Sequence, residues 1–146
     1  MNWKWLSFAA LAGLSACIIG LYLNHLSIFG TGPVTITIQI IAALLMFWAR
    51  LTFGIRSFHG TANPTVGGLV TTGPYRYLRH PIYAAILYFL WAGIAVHLSL
   101  LTIALGLLAT ALTAVRIAAE EKLLVAMYPE YVTYAQSAKR LIPFLL

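Results

Sequence analysis

Residues 81–119 read PIYAAILYFLWAGIAVHLSLLTIALGLLATALTAVRIAA, and this stretch decides the fold. It is too long for one membrane-spanning helix, which needs about 20 largely apolar residues. The triplet His97-Leu98-Ser99 is its natural break, so the sequence predicts a helical hairpin of two spans, about 81–96 and 98–119. Pro81 suits the first turn of a helix, because the amide proton that it lacks would have no partner there.

Two more apolar runs precede this hairpin, at about 5–23 and 34–53. The first is long enough to span, and no small-residue cleavage site precedes Asn24-His25, so it is interpreted as a retained anchor rather than a signal peptide. Residues 120–140 predict a cytoplasmic surface helix that is interrupted near Pro129. The expected fold is therefore an all-α integral membrane bundle with about four transmembrane helices, forming one domain over residues 1–146.

The composition supports a membrane protein. The chain is 62% hydrophobic and 8% charged, and its mean hydropathy is +0.91, whereas soluble domains are roughly 25% charged. The net charge of +6 comes from dispersed cations with no basic cluster, which argues against nucleic acid as a partner.

The cations also predict an orientation. In this four-span arrangement all nine lysines and arginines fall on one side of the membrane, and the first and third loops contain no lysine or arginine. The positive-inside rule makes that side cytoplasmic, so both termini and the second loop should face the cytoplasm, most simply at a prokaryotic plasma membrane. The nine are Lys4, Arg50, Arg56, Arg76, Arg79, Arg116, Lys122, Lys139 and Arg140.

The second loop ends in GPYRYLRHPIYA, residues 73–84, at the entrance to the third span. Polar, aromatic and rigid residues at such an entrance suit a site that binds a polar cofactor and an apolar substrate together. Arg79 could bind a carboxylate bidentately, or it could anchor among lipid headgroups. His80 and Tyr83 share a helix face if the helix begins there. Tyr75 and Tyr77 could equally belong to an aromatic belt.

The only acids are Glu120, Glu121 and Glu130. Adjacent helix positions differ by about 100°, so one member of the pair 120–121 should face inward, and a functional role is favoured for Glu121. Glu120 could instead pair with Arg116 on a solvated helix end. The four histidines, at 25, 59, 80 and 97, and the lone Cys17 show no ligand spacing, so no metal site is expected.

Two blocks carry a resemblance to a known family. TTGPYRYLRHPIYAAIL resembles the G-x-Y-x-x-x-R-H-P-x-Y motif of isoprenylcysteine carboxyl methyltransferases, and EEKLLVAMYPEYVTYAQSAKRLIPFL resembles their C-terminal signature. Related phospholipid N-methyltransferases share the Glu-Glu pair. Sterol-reductase relatives carry a similar R-H-P-N-Y, but Ile82 stands here in place of the asparagine. The resemblance covers roughly residues 65–146.

The resemblance implies a membrane enzyme that uses S-adenosylmethionine, without a metal, to methylate a lipophilic acceptor. A prenylcysteine-like carboxylate, another isoprenoid and a lipid all stay open as acceptors, and an amine or hydroxyl would need a base such as His80 or Glu121. The alternatives are a nicotinamide-dependent membrane reductase and a non-enzymatic scaffold. Arg79 and Glu121 are the implied catalytic residues, in segments 65–83 and 116–146. The implied cofactor pocket comprises Tyr75, Arg79, His80, Pro81, Tyr83, Glu120, Glu121, Leu141, Ile142 and Pro143.

Overall fold

The computed structural model describes residues 3–23, 28–54 and 68–142. Within these ranges every regular element is a helix, apart from one isolated parallel β-bridge between Leu78 and Lys139. The helices are α1 (Trp3–Leu23), α2 (Pro33–Phe53), a 3-10 turn (Gly73–Arg76), α3 (Pro81–Ile94), α4 (Leu100–Met127) and α5 (Tyr131–Ser137).

The four long helices pack antiparallel to their neighbours. α1 lies along α4, where the guanidinium of Arg116 reaches the Ser7 carbonyl. α2 lies along α3, and α4 also contacts α3, where the Trp91 indole donates to the Thr110 hydroxyl at 3.0 Å. The apolar core therefore forms between α1, α3 and α4, from Leu14, Cys17, Leu21, Leu90, Ile94 and Ala109.

The predicted hairpin of α3 and α4 is confirmed, with its turn at the predicted triplet. Ser99 caps α4 because its hydroxyl accepts from the Thr102 amide at 3.1 Å. The Thr102 hydroxyl donates in turn to the His97 carbonyl at 2.9 Å. These bonds satisfy backbone groups that the end of a helix leaves unpaired.

Helix lengths differ from the prediction at two places. α1, α2 and α4 are long and apolar enough to cross a membrane, whereas α3 has 14 residues, or about 21 Å. α4 has 28 residues, about 42 Å, because no glycine or proline interrupts residues 107–128. The predicted boundary at residue 120 is therefore absent. The predicted C-terminal helix is present as the shorter α5, after the interruption at Pro129.

The two ends of the bundle have different chemistry. At one end the buried Gln39 side chain bonds the Ile28 carbonyl at 2.6 Å and the Phe89 carbonyl at 3.1 Å, and Gly93 lets the Ile28 carbonyl approach where a Cβ would clash. The other end is defined by contacts such as that between Lys122 and the Trp3 ring, at 4.1 Å. The cations of the described residues lie at or towards this second end, and Arg56 lies outside the described ranges.

Candidate functional site

The last turns of α4 carry both carboxylates of the predicted pair into the protein. The Glu120 side chain is 18% exposed and that of Glu121 is 11% exposed. The sequence predicted that one of them would face inward. Both do, because partners from α1, α3 and the C-terminal segment surround this end of α4 on both sides.

Glu121 joins three segments of the chain. Its Oε1 lies 2.9 Å from Nη1 of Arg79 and 3.3 Å from Nε2 of His80. Arg140 donates to the same carboxylate through Nη2, 2.8 Å from Oε2, and through Nε, 3.1 Å from Oε2. These hydrogen bonds and the negative charge of Glu121 raise the pKa of the Arg140 guanidinium.

Glu120 belongs to a separate, deeper set of contacts. Its Oε1 accepts from the Tyr83 hydroxyl at 2.5 Å and lies 3.2 Å from Nε of Arg116. Arg116 also bonds the Tyr83 hydroxyl and donates through Nη1 to the Ser7 carbonyl of α1 at 2.9 Å. The predicted i,i+4 pair between Arg116 and Glu120 is therefore present, but it is buried inside the bundle and not on a solvated helix end.

His80 stands between the two carboxylates. Its Nε2 lies 3.3 Å from Oε1 of Glu121, and its Nδ1 lies 3.7 Å from Oε2 of Glu120. The imidazole is buried, with its centroid 5.8 Å from that of the Tyr83 ring. His80 precedes the first residue of α3, Pro81, which fixes where the helix begins. The shared face predicted for His80 and Tyr83 is thus confirmed.

Backbone hydrogen bonds hold the second loop against the C-terminal segment. We call this pairing of residues 77–80 with residues 139–140 the loop–tail bridge. The Lys139 amide donates to the Tyr77 carbonyl at 3.0 Å, and the Arg79 amide donates to the Lys139 carbonyl at 2.6 Å. The His80 amide donates to the Arg140 carbonyl at 3.2 Å. Arg79, His80 and Arg140 therefore approach Glu121 on one rigid backbone unit.

The remaining residues of the implied cofactor pocket lie around this bridge. Tyr75 is buried, and its carbonyl accepts from the Tyr134 hydroxyl of α5 at 2.6 Å. The Leu141 carbonyl accepts from the Tyr88 hydroxyl of α3 at 2.5 Å, and Ile142 is 39% exposed. Pro143 lies outside the described residues.

Sequence reasoning missed two residues of the site, Arg140 and Tyr131. Arg140 is one of the dispersed cations of the sequence, and nothing local to it indicates that its partner lies nineteen residues earlier. Tyr131 stands in the E-Y-x-x-Y element of the C-terminal block, which was the available signal. It is buried at 2% exposure near Glu121 and Arg79.

Metal ligation has no support among the residues that the structure describes, because no three His, Cys, Asp or Glu side chains come together there. His25 and His59 lie outside these ranges. The site instead combines three guanidinium groups with two carboxylates and an imidazole. Such a set can bind an amino acid zwitterion, hydroxyl groups or a carboxylate through charge-assisted hydrogen bonds.

The fold and the site define an integral membrane helical protein with a polar, charge-paired site at one end of its bundle. Comparison with protein families gives a match to the isoprenylcysteine carboxyl methyltransferase family over residues 33–126, which is more than half of the chain. The chain therefore belongs to this family of membrane methyltransferases. The match includes Arg79, His80, Tyr83, Glu120 and Glu121 but ends before α5 and Arg140. Comparisons with curated proteins and with solved structures found no match.

Proposed function

We propose that this protein transfers a methyl group from S-adenosylmethionine to the carboxylate of a lipophilic, prenylcysteine-like acceptor. The observation that carries the proposal is the pair Glu120–Glu121, which lies at one end of the bundle with three arginines and His80. The family match does not support the reductase or scaffold alternatives.

The residues of the site fit the chemistry of S-adenosylmethionine. Nη1 of Arg79 pairs with Glu121, while its buried Nε has no hydrogen-bond partner among residues 3–23, 28–54 and 68–142. This N–H group is therefore available to the carboxylate of the methionine moiety. The Glu121 carboxylate, which pairs with Arg79, could accept from the ammonium or the ribose hydroxyls through its remaining lone pairs. When bound, S-adenosylmethionine supplies an electrophilic methyl group on a sulfonium sulfur.

The state of the candidate bases supports a carboxylate as the acceptor. A carboxylate is already deprotonated and can attack the methyl group directly, whereas an amine or a hydroxyl must lose a proton to a base. Both oxygens of Glu121 are occupied by guanidinium groups, and His80 is held against both glutamates. These groups are therefore suited to orienting and binding rather than to removing a proton, and catalysis would come chiefly from positioning.

An apolar cavity supports the lipophilic character of the acceptor. It has a volume of about 300 Å³ and lies between α1, α2 and α3. Ile86 and Leu90, two of its lining residues, lie five and nine residues beyond Pro81 on α3, a rise of about 7 to 14 Å. An isoprenoid tail could occupy this cavity while its head group stays near His80. The other lining residues are Ile18, Ile28, Ala42, Ala43, Met46, Ala85 and Phe89.

The orientation belongs to the same proposal. With the cation-rich end in the cytoplasm, the water-soluble methyl donor enters from water and the acceptor enters from the bilayer. Both termini would then be cytoplasmic, in the plasma membrane of a prokaryote. Cysteine-accessibility labelling at positions 27 and 61, in a Cys17→Ser background, should place these positions on opposite sides. Labelling of both from one side would contradict the orientation.

Binding and turnover test the function directly. Isothermal titration of the purified protein in nanodiscs should show binding of S-adenosylhomocysteine and none of NADPH. Transfer of a tritiated methyl group should occur to N-acetyl-S-farnesylcysteine and not to its carboxamide, which has the same tail without the carboxylate. Binding of NADPH alone would overturn the methyltransferase proposal, and equal methylation of the carboxamide would overturn the choice of acceptor group.

A further inference from the structure

Residues 28–32, which we call the strap, lead into α2 and pack against the end of α3 that lies away from the charged site. One residue of the strap, Ile28, lines the apolar cavity. Its side chain is partly buried and packs against the apolar core. The strap therefore contributes an apolar side chain to the same cavity in which the acceptor tail is proposed to lie.

The side chain of Gln39 on α2 fixes the backbone of the strap. Its Nε2 donates to the Ile28 carbonyl at 2.6 Å and to the Phe89 carbonyl of α3 at 3.1 Å. Its Oε1 accepts from the Gly30 amide at 2.8 Å. Gln39 is buried, and a buried polar group that loses its hydrogen-bond partner is costly. These bonds therefore resist any displacement of the strap from α2 and α3.

Close packing against α3 holds the strap as well. Gly93 lets the Ile28 carbonyl approach α3, because a Cβ on residue 93 would overlap that oxygen. The rings of Phe29 and Phe89 meet edge to face, with centroids 5.9 Å apart, and Phe89 also lines the cavity. Ile28 is thus held at the level of residues 89–93 of α3.

The place of Ile28 along α3 limits how far a tail can extend. Residues 89 and 93 lie eight and twelve positions after Pro81, a rise of about 12 to 18 Å. A tail that runs along α3 from a head group near His80 meets Ile28 after roughly this distance. An extended farnesyl chain is about as long as this path, whereas a geranylgeranyl chain is longer by a prenyl unit. The additional unit would have to displace Ile28 or break the bonds of Gln39, and overpacking of this kind is unfavourable.

We infer that Ile28 closes the far end of the acceptor cavity and selects acceptors by tail length, with Gln39 as the positioning residue that holds it there. This role rests on the proposed function, and it narrows the substrate class to carboxylates whose isoprenoid tail is no longer than farnesyl. Shorter tails fit as well, but they bury less apolar surface and are bound more weakly.

The test compares acceptors of different tail length. The measured quantity is kcat/KM for N-acetyl-S-geranylgeranylcysteine divided by kcat/KM for N-acetyl-S-farnesylcysteine. Ile28→Ala should raise this ratio about tenfold, because removing methyl groups from a pocket wall changes discrimination by about this factor. An unchanged ratio would overturn the inference, as would wild-type protein that uses the two acceptors equally well.

Leu105→Ala is the matched control. Leu105 of α4 is also partly buried and packed against the apolar core, but it does not line the cavity. The variant should keep the wild-type ratio even if both activities fall. An equal rise of the ratio in Leu105→Ala would show that any loosening of the core relaxes the choice of tail, and would overturn the role of Ile28.

Ile28→Phe tests the same role in the opposite direction. The larger side chain should shorten the cavity and lower kcat/KM for the farnesyl acceptor relative to N-acetyl-S-geranylcysteine about tenfold. Both Ile28 variants should bind S-adenosylhomocysteine as wild type does, because the charged site lies at the other end of α3. This binding also shows that each variant is folded. Ile28→Phe with the wild-type preference would overturn the inference.

Gln39→Met tests the positioning residue, because methionine has a similar length and shape but cannot make these hydrogen bonds. The freed strap should let the longer tail in, so the ratio of geranylgeranyl to farnesyl activity should rise severalfold, mainly through a lower KM for the longer acceptor. A residue that only stabilised the fold would lower both activities by the same factor. That result would overturn the positioning role of Gln39.

Failure of this length selection can be distinguished from failure of the proposed function. Wild-type protein that methylates prenylcysteine acceptors, with Ile28 variants that keep its preference, overturns the length selection alone. Wild-type protein that methylates none of the three acceptors overturns the proposed function, and the role of Ile28 falls with it.

Discussion

Arg140 binds both oxygens of the Glu121 carboxylate, from a position nineteen residues further along the chain, with Nη2 2.8 Å from Oε2. The Arg140 side chain is 57% exposed while that of Glu121 is 11% exposed. A solvent-facing cation thus covers a buried anion and separates it from water. Arg140 comes from the C-terminal segment and Glu121 from a membrane-embedded helix, so this pair joins the surface of the protein to the interior of its site.

Glu121→Gln should weaken binding of S-adenosylhomocysteine by roughly ten- to a hundredfold, because a charge-assisted hydrogen bond is worth about 1.5–3 kcal/mol. The measurement is isothermal titration in nanodiscs. Glu130→Gln is the control, since Glu130 is exposed just before α5 and should bind as wild type does. Equal small effects from the two variants would assign Glu121 a purely structural role.

Arg140→Ala should reduce affinity for S-adenosylhomocysteine about five- to twentyfold while lowering the free energy of unfolding by only about 0–1 kcal/mol, because exposed ion pairs contribute little to stability. Titration and thermal unfolding measure the two effects. Lys139→Ala is the neighbouring control, since its exposed side chain can be removed without touching the backbone bonds of residue 139. A loss of stability as large as that of a core variant would contradict this separation of roles.

Arg116→Met should destabilise the fold strongly, because it leaves the buried Glu120 carboxylate without its cation. Removing one partner of a buried ion pair costs about 3–5 kcal/mol. The double variant Arg116→Met/Glu120→Gln should recover much of this loss, since the remaining amide carries no charge. Thermal unfolding in one detergent compares the three proteins. A double variant no more stable than Arg116→Met would show that the contact with the Ser7 carbonyl matters more than the ion pair.

Ala43→Phe should fill part of the apolar cavity and discriminate between acceptors by tail length. We expect a several-fold higher KM for N-acetyl-S-farnesylcysteine, little change for an analogue with a single prenyl unit, and unchanged binding of S-adenosylhomocysteine. Ala104→Phe, an exposed alanine on α4, is the control for added bulk. Unchanged kinetics with the long acceptor would exclude this cavity as the site of the tail.

Alkaline pH should destabilise the contact between α5 and the second loop. Burial raises the pKa of Tyr134 to about 12, whereas an unfolded tyrosine titrates near about 10. The folded state therefore favours the neutral phenol, and this contribution to stability is complete below pH of about 10 and is lost as the pH rises towards about 12. Burial raises the pKa of Tyr131 and of Tyr75 in the same direction.

Tyr134→Phe tests this dependence. The variant should be less stable than wild type at neutral pH, because the Tyr75 carbonyl loses its donor. Its unfolding temperature should then fall less steeply between pH of about 10 and 12, since one titrating group is gone. Parallel profiles for the two proteins would show that other groups govern alkaline unfolding.

The sequence predicted the helical bundle well because apolar run length and proline placement are local signals. It predicted the hairpin turn at residues 97–99 and the interruption at Pro129 for the same reason. It misplaced the end of α4, because two glutamates look like a helix terminus, although glutamate is a good helix former. That both glutamates are buried depends on partners from α1, α3 and the C-terminal segment, which no local pattern reveals.

The site itself was predicted in part. The residues of the R-H-P-x-Y motif and the Glu-Glu pair do come together, as their resemblance to the family implied. Arg140 was not predicted, because a lone surface arginine carries no signal of a partner nineteen positions earlier. Tyr131 was not predicted either, because its place in the E-Y-x-x-Y element does not show that its side chain is buried near Glu121 and Arg79.

The loop–tail bridge makes the site depend on a segment outside the four long helices. Arg79 is oriented by the backbone of Lys139, and Glu121 is covered by Arg140, and both of these partners follow α4 in the chain. A chain cut after α4 would keep all four long helices but would lose the groups that orient Arg79 and cover Glu121. Insertion of the helices and completion of the site are therefore separate events, and the first does not bring about the second.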